Sequence, residues 1–291
     1  DCDRADRSTP LHLAVANGVS ASVLDALVKA DRASKKAVAG KPGAARQEEG
    51  TPSTAMKDRD GNIPLHVAIA AGASAATVAF LVAADAESAS IVNAMGSTPL
   101  HMALHSRSAL NVVRCLLDAS PATLEVKDSR GRLPLHNALH NIEHVNALLA
   151  LAPTAVREPD GAGDMPLHLA AQYSSSVDVV QALLAVDRTV ANELSRGCSP
   201  LQLAAQSNAA KDVVDVLLAC TDPSIARAAW AGRLSSREGT ADWAGYLPDE
   251  GGKKEERMNE NAERALIIEV KAVGVDDVVD AANEAAVVVY Y

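Results

Sequence analysis

The sequence predicts an all-α solenoid of stacked helix-turn-helix units, because three features repeat along it at a nearly constant interval. The first feature is a tetrapeptide that ends in Pro-Leu-His or, once, in Pro-Leu-Gln. Its last residue falls at His12, His66, His101, His136, His168 and Gln202. The successive intervals are 54, 35, 35, 32 and 34 residues, so all but the first are compatible with one structural unit per repeat.

The second and third features lie at fixed distances from this motif. A glycine stands three residues before the proline in repeats two to six, where a tight turn requires a positive φ. Arg7 takes that place in repeat one, so we expect an irregular first turn. An apolar pair such as Leu116-Leu117 follows fifteen residues after the motif histidine, and repeat four has its pair, Leu148-Leu149, three residues early.

Each element of the unit has a physical reason. Proline is tolerated in the first turn of a helix, where its missing N–H has no partner anyway, and a preceding Thr or Ser caps the helix. The alanine two residues after the histidine allows neighbouring helices to approach closely. Valine pairs, such as Val112-Val113, precede the leucine pairs by one helical turn and share their face. The unit is therefore a turn followed by two short antiparallel helices.

With these motifs, residues 1–221 resemble an array of six ankyrin repeats. Residues 239–244, Gly-Thr-Ala-Asp-Trp-Ala, are similar to a closing ankyrin repeat, so we expect a degenerate seventh repeat at 222–248. The resemblance implies turn or β-hairpin fingers between repeats. It also implies a structural role for five histidines, each bridging to the motif threonine and to the adjoining repeat: His12, His66, His101, His136 and His168. Catalysis or metal binding by one of them is the alternative, but one repeated environment explains all five.

The chain departs from the repeat in two segments. Residues 31–56 account for the long first interval and are expected to form an exposed loop with five basic and three acidic residues. This loop is either a partner-binding arm or an insertion tolerated because loop closure costs little. Residues 249–291 are expected to form an acidic linker and a helical tail, in which Val275, Val278, Val279 and Ala282 have helical spacing.

Composition narrows the class of protein. The net charge is −10, from 27 basic and 37 acidic residues, which argues against nucleic acid as the principal partner. Only 2% of the residues are aromatic, which suits thin stacked helices better than a large enzyme core. No stretch approaches the roughly 18 apolar residues of a transmembrane helix. We therefore expect a protein partner and no membrane span.

The cysteines at positions 2, 115, 198 and 220 form no CxxC motif, so free thiols are favoured over a disulfide framework. This favours an intracellular location, cytoplasmic by default. Organelle targeting is not readable, because residue 1 is Asp rather than Met.

A search for chemistry finds no catalytic signature and no cofactor motif. Gly161-Ala162-Gly163 lacks the third glycine of a dinucleotide loop, and Gly40-Lys41 is followed by proline rather than Ser or Thr. His101, His105, His136, His140 and His144 invite a metal site, since imidazoles bind zinc. No carboxylate or thiolate stands at ligand spacing, so we expect no metal and no enzyme activity.

The alignment of the repeats predicts a partner-binding surface instead. Residues four and five positions after the motif histidine are expected to face a concave groove, and the change from alanine to larger polar side chains occurs in repeats three to six. The groove candidates are His105, Ser106, His140, Asn141, Gln172, Tyr173 and Gln206. The candidates at the turn tips are Arg130, Arg132 and Arg196.

Three classes of function remain open. The first is a non-catalytic scaffold that binds a protein through the groove and turn tips. The second is a structural or linker subunit of a larger complex. The third is a regulatory array belonging to a longer enzyme or channel. The resemblance and the absence of catalytic motifs favour the first.

Overall fold

A computed structural model describes residues 7–39, 52–173 and 175–226, and only the backbone of residues 34–39. Residues 40–51 of the predicted loop lie outside the described residues. So do the predicted closing repeat beyond Ala226 and the predicted tail, residues 249–291.

Six pairs of helices follow one another along the described chain. The first helices of the six pairs are α1 (Pro10–Ala16), α3 (Pro64–Ala70), α5 (Pro99–His105), α7 (Pro134–Ala138), α9 (Pro166–Gln172) and α11 (Pro200–Gln206). The second helices are α2 (Ala21–Ala39), α4 (Ala75–Ala84), α6 (Leu110–Ala119), α8 (Ile142–Leu149), α10 (Val177–Val186) and α12 (Lys211–Cys220). Short 3-10 turns follow four of these: Ala86–Ser90, Pro121–Glu125, Pro153–Arg157 and Arg188–Asn192. The described residues contain no β-strand beyond an isolated bridge between Ser195 and Cys198.

The motif proline begins every first helix, as the sequence predicts. The side chains of Thr9, Thr98 and Ser199 accept the backbone N–H three residues later and so cap α1, α5 and α11. The other three first helices start at an apolar residue with no such side-chain bond. The starts of α3 and α7 therefore depend on the motif histidine and on packing.

The helices form two layers. Each first helix packs on the first helices of the neighbouring repeats, and each second helix packs on its own neighbours in the same way. The motif alanines of repeats two to six are fully buried where the layers meet, as are leucines of the first helices. A buried alanine leaves room only for close helix contact, so a larger residue there would push the repeats apart. The core is thus a thin layer of Leu, Val and Ala side chains between the two layers of helices, and it runs along the described array.

Helix α2 corrects the prediction of a loop over residues 31–56. The helix continues to Ala39, nine residues into the predicted loop. Its last part is rich in alanine, lysine and arginine, which are strong helix formers even without an apolar periodicity. Asp31 accepts the backbone N–H of Ser53 at 3.1 Å, and Arg32 donates to the carbonyl of Ala84 at 2.8 Å. The first bond joins the two ends of the insertion to each other, and the second fastens its start to repeat two.

The turns before the first helices depend on left-handed backbone. Gly61, Gly96 and Gly131 have φ of 74°, 69° and 71°. Arg7 has φ 57°, so this arginine adopts the glycine conformation, and the rest of the first turn, predicted to be irregular, lies outside the described residues. At Gly131 an added Cβ would lie 2.5 Å from the backbone nitrogen of Gly161 in the next turn. Here glycine permits both the positive φ and the close approach of two repeats.

We expect Gly131→Ala to destabilise the array more than Gly72→Ala. Gly72 also has a positive φ, 72°, but an added Cβ meets nothing within 4 Å. Its replacement should cost only the left-handed strain, about 1 kcal/mol. Gly131→Ala adds a collision with backbone and should cost about 2 kcal/mol more. Urea denaturation of the two variants measures the difference, and equal losses would show that the turns do not need to touch.

Candidate partner-binding site

Four of the five motif histidines join their first helix to the backbone of the following segment. Their Nε2 atoms donate to backbone carbonyls at 2.9 to 3.1 Å: His12 to Asn62, His66 to Ser97, His101 to Arg132 and His168 to Glu193. The bond from His12 has normal length although 50 residues separate its partners. The insertion in repeat one therefore leaves the stacking of repeats one and two intact.

The second ring nitrogen binds the start of the helix itself. Nδ1 accepts the backbone N–H of the residue three positions earlier at 3.1 to 3.4 Å: Thr9 to His12, Ile63 to His66, Thr98 to His101 and Leu133 to His136. Where a threonine stands there, its hydroxyl also donates to Nδ1, at 2.7 and 2.9 Å. A backbone N–H only donates and a carbonyl only accepts, so these contacts select the neutral ring with its proton on Nε2.

Burial favours the neutral form of four of the motif rings. Desolvation lowers the pKa of His66 from 6.5 to about 4, against the opposing effect of its bond to the Ser97 carbonyl. Burial likewise lowers the pKa of His101, His136 and His168. A proton on Nδ1 would point at a backbone N–H. Protonation would therefore place a charge in a desolvated site and remove the hydrogen bond to the helix start.

The hydrogen bonds of the motif histidine change toward the end of the array. The Asp164 backbone lies on the Nε2 side of His136 and raises its pKa, but Nε2 forms no hydrogen bond of normal geometry. His168 binds Glu193 rather than the residue before the sixth motif, and its Nδ1 has no partner among the described residues. In repeat six the amide oxygen of Gln202 accepts the Ser199 N–H at 2.7 Å instead.

The turns before the first helices are here called fingers, and each is numbered by its repeat. Fingers two to five are held by an acidic or amide side chain that sequence reasoning missed. The Oδ1 atom accepts the backbone N–H groups two and four residues later at 2.7 to 3.0 Å: in Asp58, Asn93, Asp128 and Asp160. This is an Asx turn, which replaces backbone pairing in a tight loop. Its signal was present in the sequence, because each of these residues stands three positions before the motif glycine.

Neighbouring fingers hydrogen-bond to one another through backbone. The bonds measure 2.8 to 3.0 Å: Ala94 N to Asp60 O, Ser129 N to Met95 O, and Gly161 N to Arg130 O. Fingers two to five therefore form a continuous edge along one side of the array.

Finger six differs from the others. Ser195 and Cys198 exchange two backbone bonds at 2.9 and 2.8 Å, and Arg196 and Gly197 between them have φ of 52° and 80°. Two consecutive positive φ values are typical of a type I′ hairpin. Side chains fasten this finger to finger five: Ser195 donates to Asp164 at 2.6 Å, and Arg196 binds the same carboxylate at 2.6 Å.

Most of the predicted groove residues are exposed at or just after the ends of the first helices. The last residues of α5, α9 and α11 are exposed, as is His140 two residues after α7, and we call this set with the residues that follow them the groove surface: His105, Ser106, His140, Asn141, Gln172, Tyr173, Gln206. The Tyr173 side chain is 67% exposed. An aromatic ring of this exposure is the side chain that gains most from burial by a partner.

Several predicted contact residues have partners within the array, among them Ser106, whose hydroxyl donates to the Ala103 carbonyl at 3.4 Å. Asn141 is half-buried, and its Oδ1 accepts the Glu143 N–H at 2.8 Å at the start of α8. Arg132 is paired at 3.3 Å with the buried carboxylate of Asp160, and its carbonyl accepts from His101. Arg196 pairs with Asp164 but keeps 62% of its side chain exposed. Arg130, in contrast, is exposed and forms no ion pair with the described residues.

The histidines outside the motif cluster beside repeats three and four. The His140 and His144 rings are 5.9 Å apart, edge to face. His144 is only 1% exposed, and burial lowers its pKa and that of His140. Among the described residues, no group of three His, Cys, Asp or Glu side chains could hold a metal ion. Cys115, Cys198 and Cys220 are free thiols.

Comparison with known families agrees with this architecture. A family model described as ankyrin repeats (3 copies) matches residues 65–155 and 135–227, more than half of the chain. The chain belongs to the ankyrin-repeat family. Its fold is similar to the crystal structure of the ankyrin repeat domain of Bcl-3, a unique member of the IκB protein family, with a TM-score of 0.59. Sequence identity is 27%, and the match covers 75% of this chain and 89% of that chain.

Comparison with curated protein sequences gave no match. Ankyrin repeats are generally protein–protein interaction modules, and their fold is typically non-catalytic. No helix in the described part of the chain is long and apolar enough to cross a membrane.

Replacing His66 by glutamine should make the ankyrin array less sensitive to acid. The folded pKa of about 4 lies below the unfolded value of 6.5, so the unfolded chain binds more protons between these values. Stability that is complete above pH 6.5 is therefore lost as the pH falls toward 4, by about 3 kcal/mol for this one ring. His66→Gln should lower stability at neutral pH but lose less of it in acid.

Urea denaturation between about pH 7 and pH 4.5 measures this difference. His105→Gln is the matched control, because His105 is exposed and should leave the acid sensitivity of the wild type in place. Equal acid losses in His66→Gln and wild type would contradict the assignment.

Alanine variants should differ in stability between a structural arginine, Arg132, and an exposed one, Arg130. Arg132→Ala leaves the Asp160 carboxylate, whose side chain is 3% exposed, without its charged partner. We expect a loss of about 1–2 kcal/mol. Arg130→Ala should change stability by less than about 0.5 kcal/mol, as for an ordinary surface residue. Thermal unfolding of both variants tests this, and a similar melting temperature for the two would refute the distinction.

Proposed function

We propose that this ankyrin array is a non-catalytic scaffold that holds a protein partner on the groove surface and the finger tips. The observation that carries the proposal is the contrast between two parts of the array. The first helices are fixed by paired histidines and buried alanines, whereas the ends of α5, α7, α9 and α11 expose side chains suited to directed contacts. A rigid surface loses little conformational freedom on binding.

The groove surface begins only in repeat three. The equivalent positions of repeats one and two hold Ala16 and Ala70, and the larger side chains begin at His105. Tyr173 supplies an aromatic ring, while Gln172 and Gln206 supply amide donors and acceptors. Aromatic and polar side chains of this kind dominate the energetics of protein interfaces. We therefore place the contact in repeats three to six.

The finger tips add a second contact edge. Met95 is 68% exposed at the tip of finger three, and Arg130 lies at the tip of finger four. Arg196 also belongs to this edge, since most of its side chain remains exposed beside Asp164. Arg132 contributes to the position of finger four rather than to contact. A partner that spans both edges would cover the full length of the first helices.

An assembly role has one observation in its favour. Leu151 and Val186 are 56% and 41% exposed near the ends of the second helices α8 and α10, which pack on each other. Apolar exposure on the second layer suits a subunit whose back also contacts a neighbour. Light scattering of the purified chain tests this, since a monomer at all concentrations would argue against self-assembly. The regulatory role in a longer protein and the intracellular location stay predictions.

Substitution of Tyr173 by alanine should weaken capture of the partner. Affinity purification with cross-linking from the native source identifies the partner, and titration calorimetry then compares the variants. Loss of a buried aromatic anchor should raise Kd about tenfold or more. His105→Ala and His140→Ala should each have a smaller effect in the same direction.

Arg114→Ala is the control for this series, because Arg114 is exposed on the second helix α6. It should leave Kd unchanged. Unchanged capture by all three groove variants, or a larger loss in the control, would refute the assignment of the groove surface.

A further inference from the structure

Four exposed side chains recur along the groove surface at the same place in repeats three to six. They are His105, His140, Gln172 and Gln206, each four residues after the motif position, and we call this set the ladder. A neutral imidazole and a primary amide both carry a hydrogen-bond donor and an acceptor. The equivalent alanines of repeats one and two carry neither. Directed contacts are therefore available at one position per repeat over four repeats.

Neighbouring ladder residues are also close in space. Helix α5 packs on α7, α7 on α9 and α9 on α11. The hydroxyl of Ser207, next to Gln206, donates to the carbonyl of Ala171, next to Gln172, at 3.1 Å. Burial is the largest cause that lowers the pKa of His140, and His105 acts in the same direction, so these two rings lie within electrostatic range. The ladder is thus a row along the array.

The ladder offers uncharged hydrogen-bonding groups. The side chains of His105, Gln172 and Gln206 form no hydrogen bond with the described part of the chain. The lowered pKa of His140 favours its neutral ring. Neutral donors bind a backbone carbonyl without the large desolvation cost of an ion pair. We therefore expect the ladder to contact the backbone of a partner rather than its ionised side chains.

The interval between ladder residues distinguishes the backbone conformations that fit along them. Packed helices are about 8–10 Å apart, so the ladder repeats at about this distance. A polyproline II helix returns the same side of its backbone every three residues, or about 9 Å. A β-strand does so after about 6.6 Å, and an α-helix after about 5.4 Å. Of these three conformations, only polyproline II matches the ladder.

Polyproline II also leaves its acceptors free. It contains no internal hydrogen bonds, so its carbonyls are open to donors outside the helix. Tyr173, which directly follows Gln172, is 67% exposed. Proline-rich segments dock on aromatic surfaces of this kind. The groove surface therefore combines two features that suit one ligand, carbonyl-binding side chains at the matching interval and an aromatic ring beside them.

We propose that the groove surface binds a proline-rich segment of a partner protein in the polyproline II conformation. Carbonyls on one side of the segment accept from the ladder, and a proline ring packs on Tyr173. The inference rests on the proposed function and adds the chemistry of the partner. Four ladder positions span three turns, so the bound segment is about ten residues long.

Fluorescence anisotropy with the full chain tests this conformation, and the probe is fluorescein-labelled decaproline. We expect saturable binding, because decaproline already has the bound conformation and loses little entropy. A Gly-Ser peptide of equal length and labelling is the control for chain conformation, since it is a flexible coil. Its Kd should be about tenfold higher or more, owing to the cost of ordering it.

Variants of the groove surface test where decaproline binds. Tyr173→Ala should raise its Kd about fivefold, whereas Tyr173→Phe keeps the ring and should change it little. Gln172→Ala and Gln206→Ala should each raise Kd about threefold, the effect of one lost hydrogen bond. Asn146→Ala removes an exposed amide from the second helix α8 and is the matched control, so it should leave Kd unchanged.

Three results would overturn the inference. They are no saturable binding of decaproline up to millimolar concentration, equal affinity for the Gly-Ser peptide, or a Kd that the Tyr173→Ala and glutamine variants leave unchanged. Capture of the native partner that Tyr173→Ala still weakens would then leave the proposed function standing without this ligand. Capture that no groove variant weakens would instead refute the proposed function itself, whatever decaproline does.

Discussion

A neutral imidazole shared between two repeats is the interaction on which the array depends. One ring nitrogen accepts from the backbone at the start of a first helix, and the other donates to a carbonyl of the next finger. In His12, His66 and His101, where both bonds form, the ring sets the start of its own helix and the position of the following repeat together. Because the ring is buried, a charged form would lose solvation as well as one of the two bonds. The groove surface is positioned by these links, since its residues end the helices that the rings begin.

Much of the fold can be predicted from the sequence, because each repeat carries the same motifs at nearly the same spacing. The motif proline predicts the start of all six first helices, and the apolar pairs predict the second helices that cover them. The end of α2 is different, because the segment up to Ala39 extends the helix by intrinsic propensity and carries no apolar stripe. The conformation of Arg7 was equally hidden, since a positive φ in a non-glycine residue is imposed by the surrounding fold.

In the candidate site, too, some features can be predicted from the sequence and others cannot. Exposure of His105, Gln172 and Tyr173 follows from their place in the period, so a sequence alignment alone predicts it. The roles of Arg132 and Arg196 depend on Asp160 and Asp164, which lie about thirty residues away on neighbouring fingers. Such pairs form only once the repeats have stacked. Local spacing therefore separates exposed positions from buried ones, but it does not separate free arginines from paired ones.

The junction between repeats five and six is built differently from the junctions before it. Backbone bonds between fingers end at finger five, and across the next boundary side chains of Ser195 and Arg196 replace them. In a linear array each boundary contributes its own coupling. The Asp164 carboxylate, which both side chains bind, therefore couples finger six to finger five. Gln206, the last position of the groove surface, lies beyond this boundary, whereas Tyr173 lies before it.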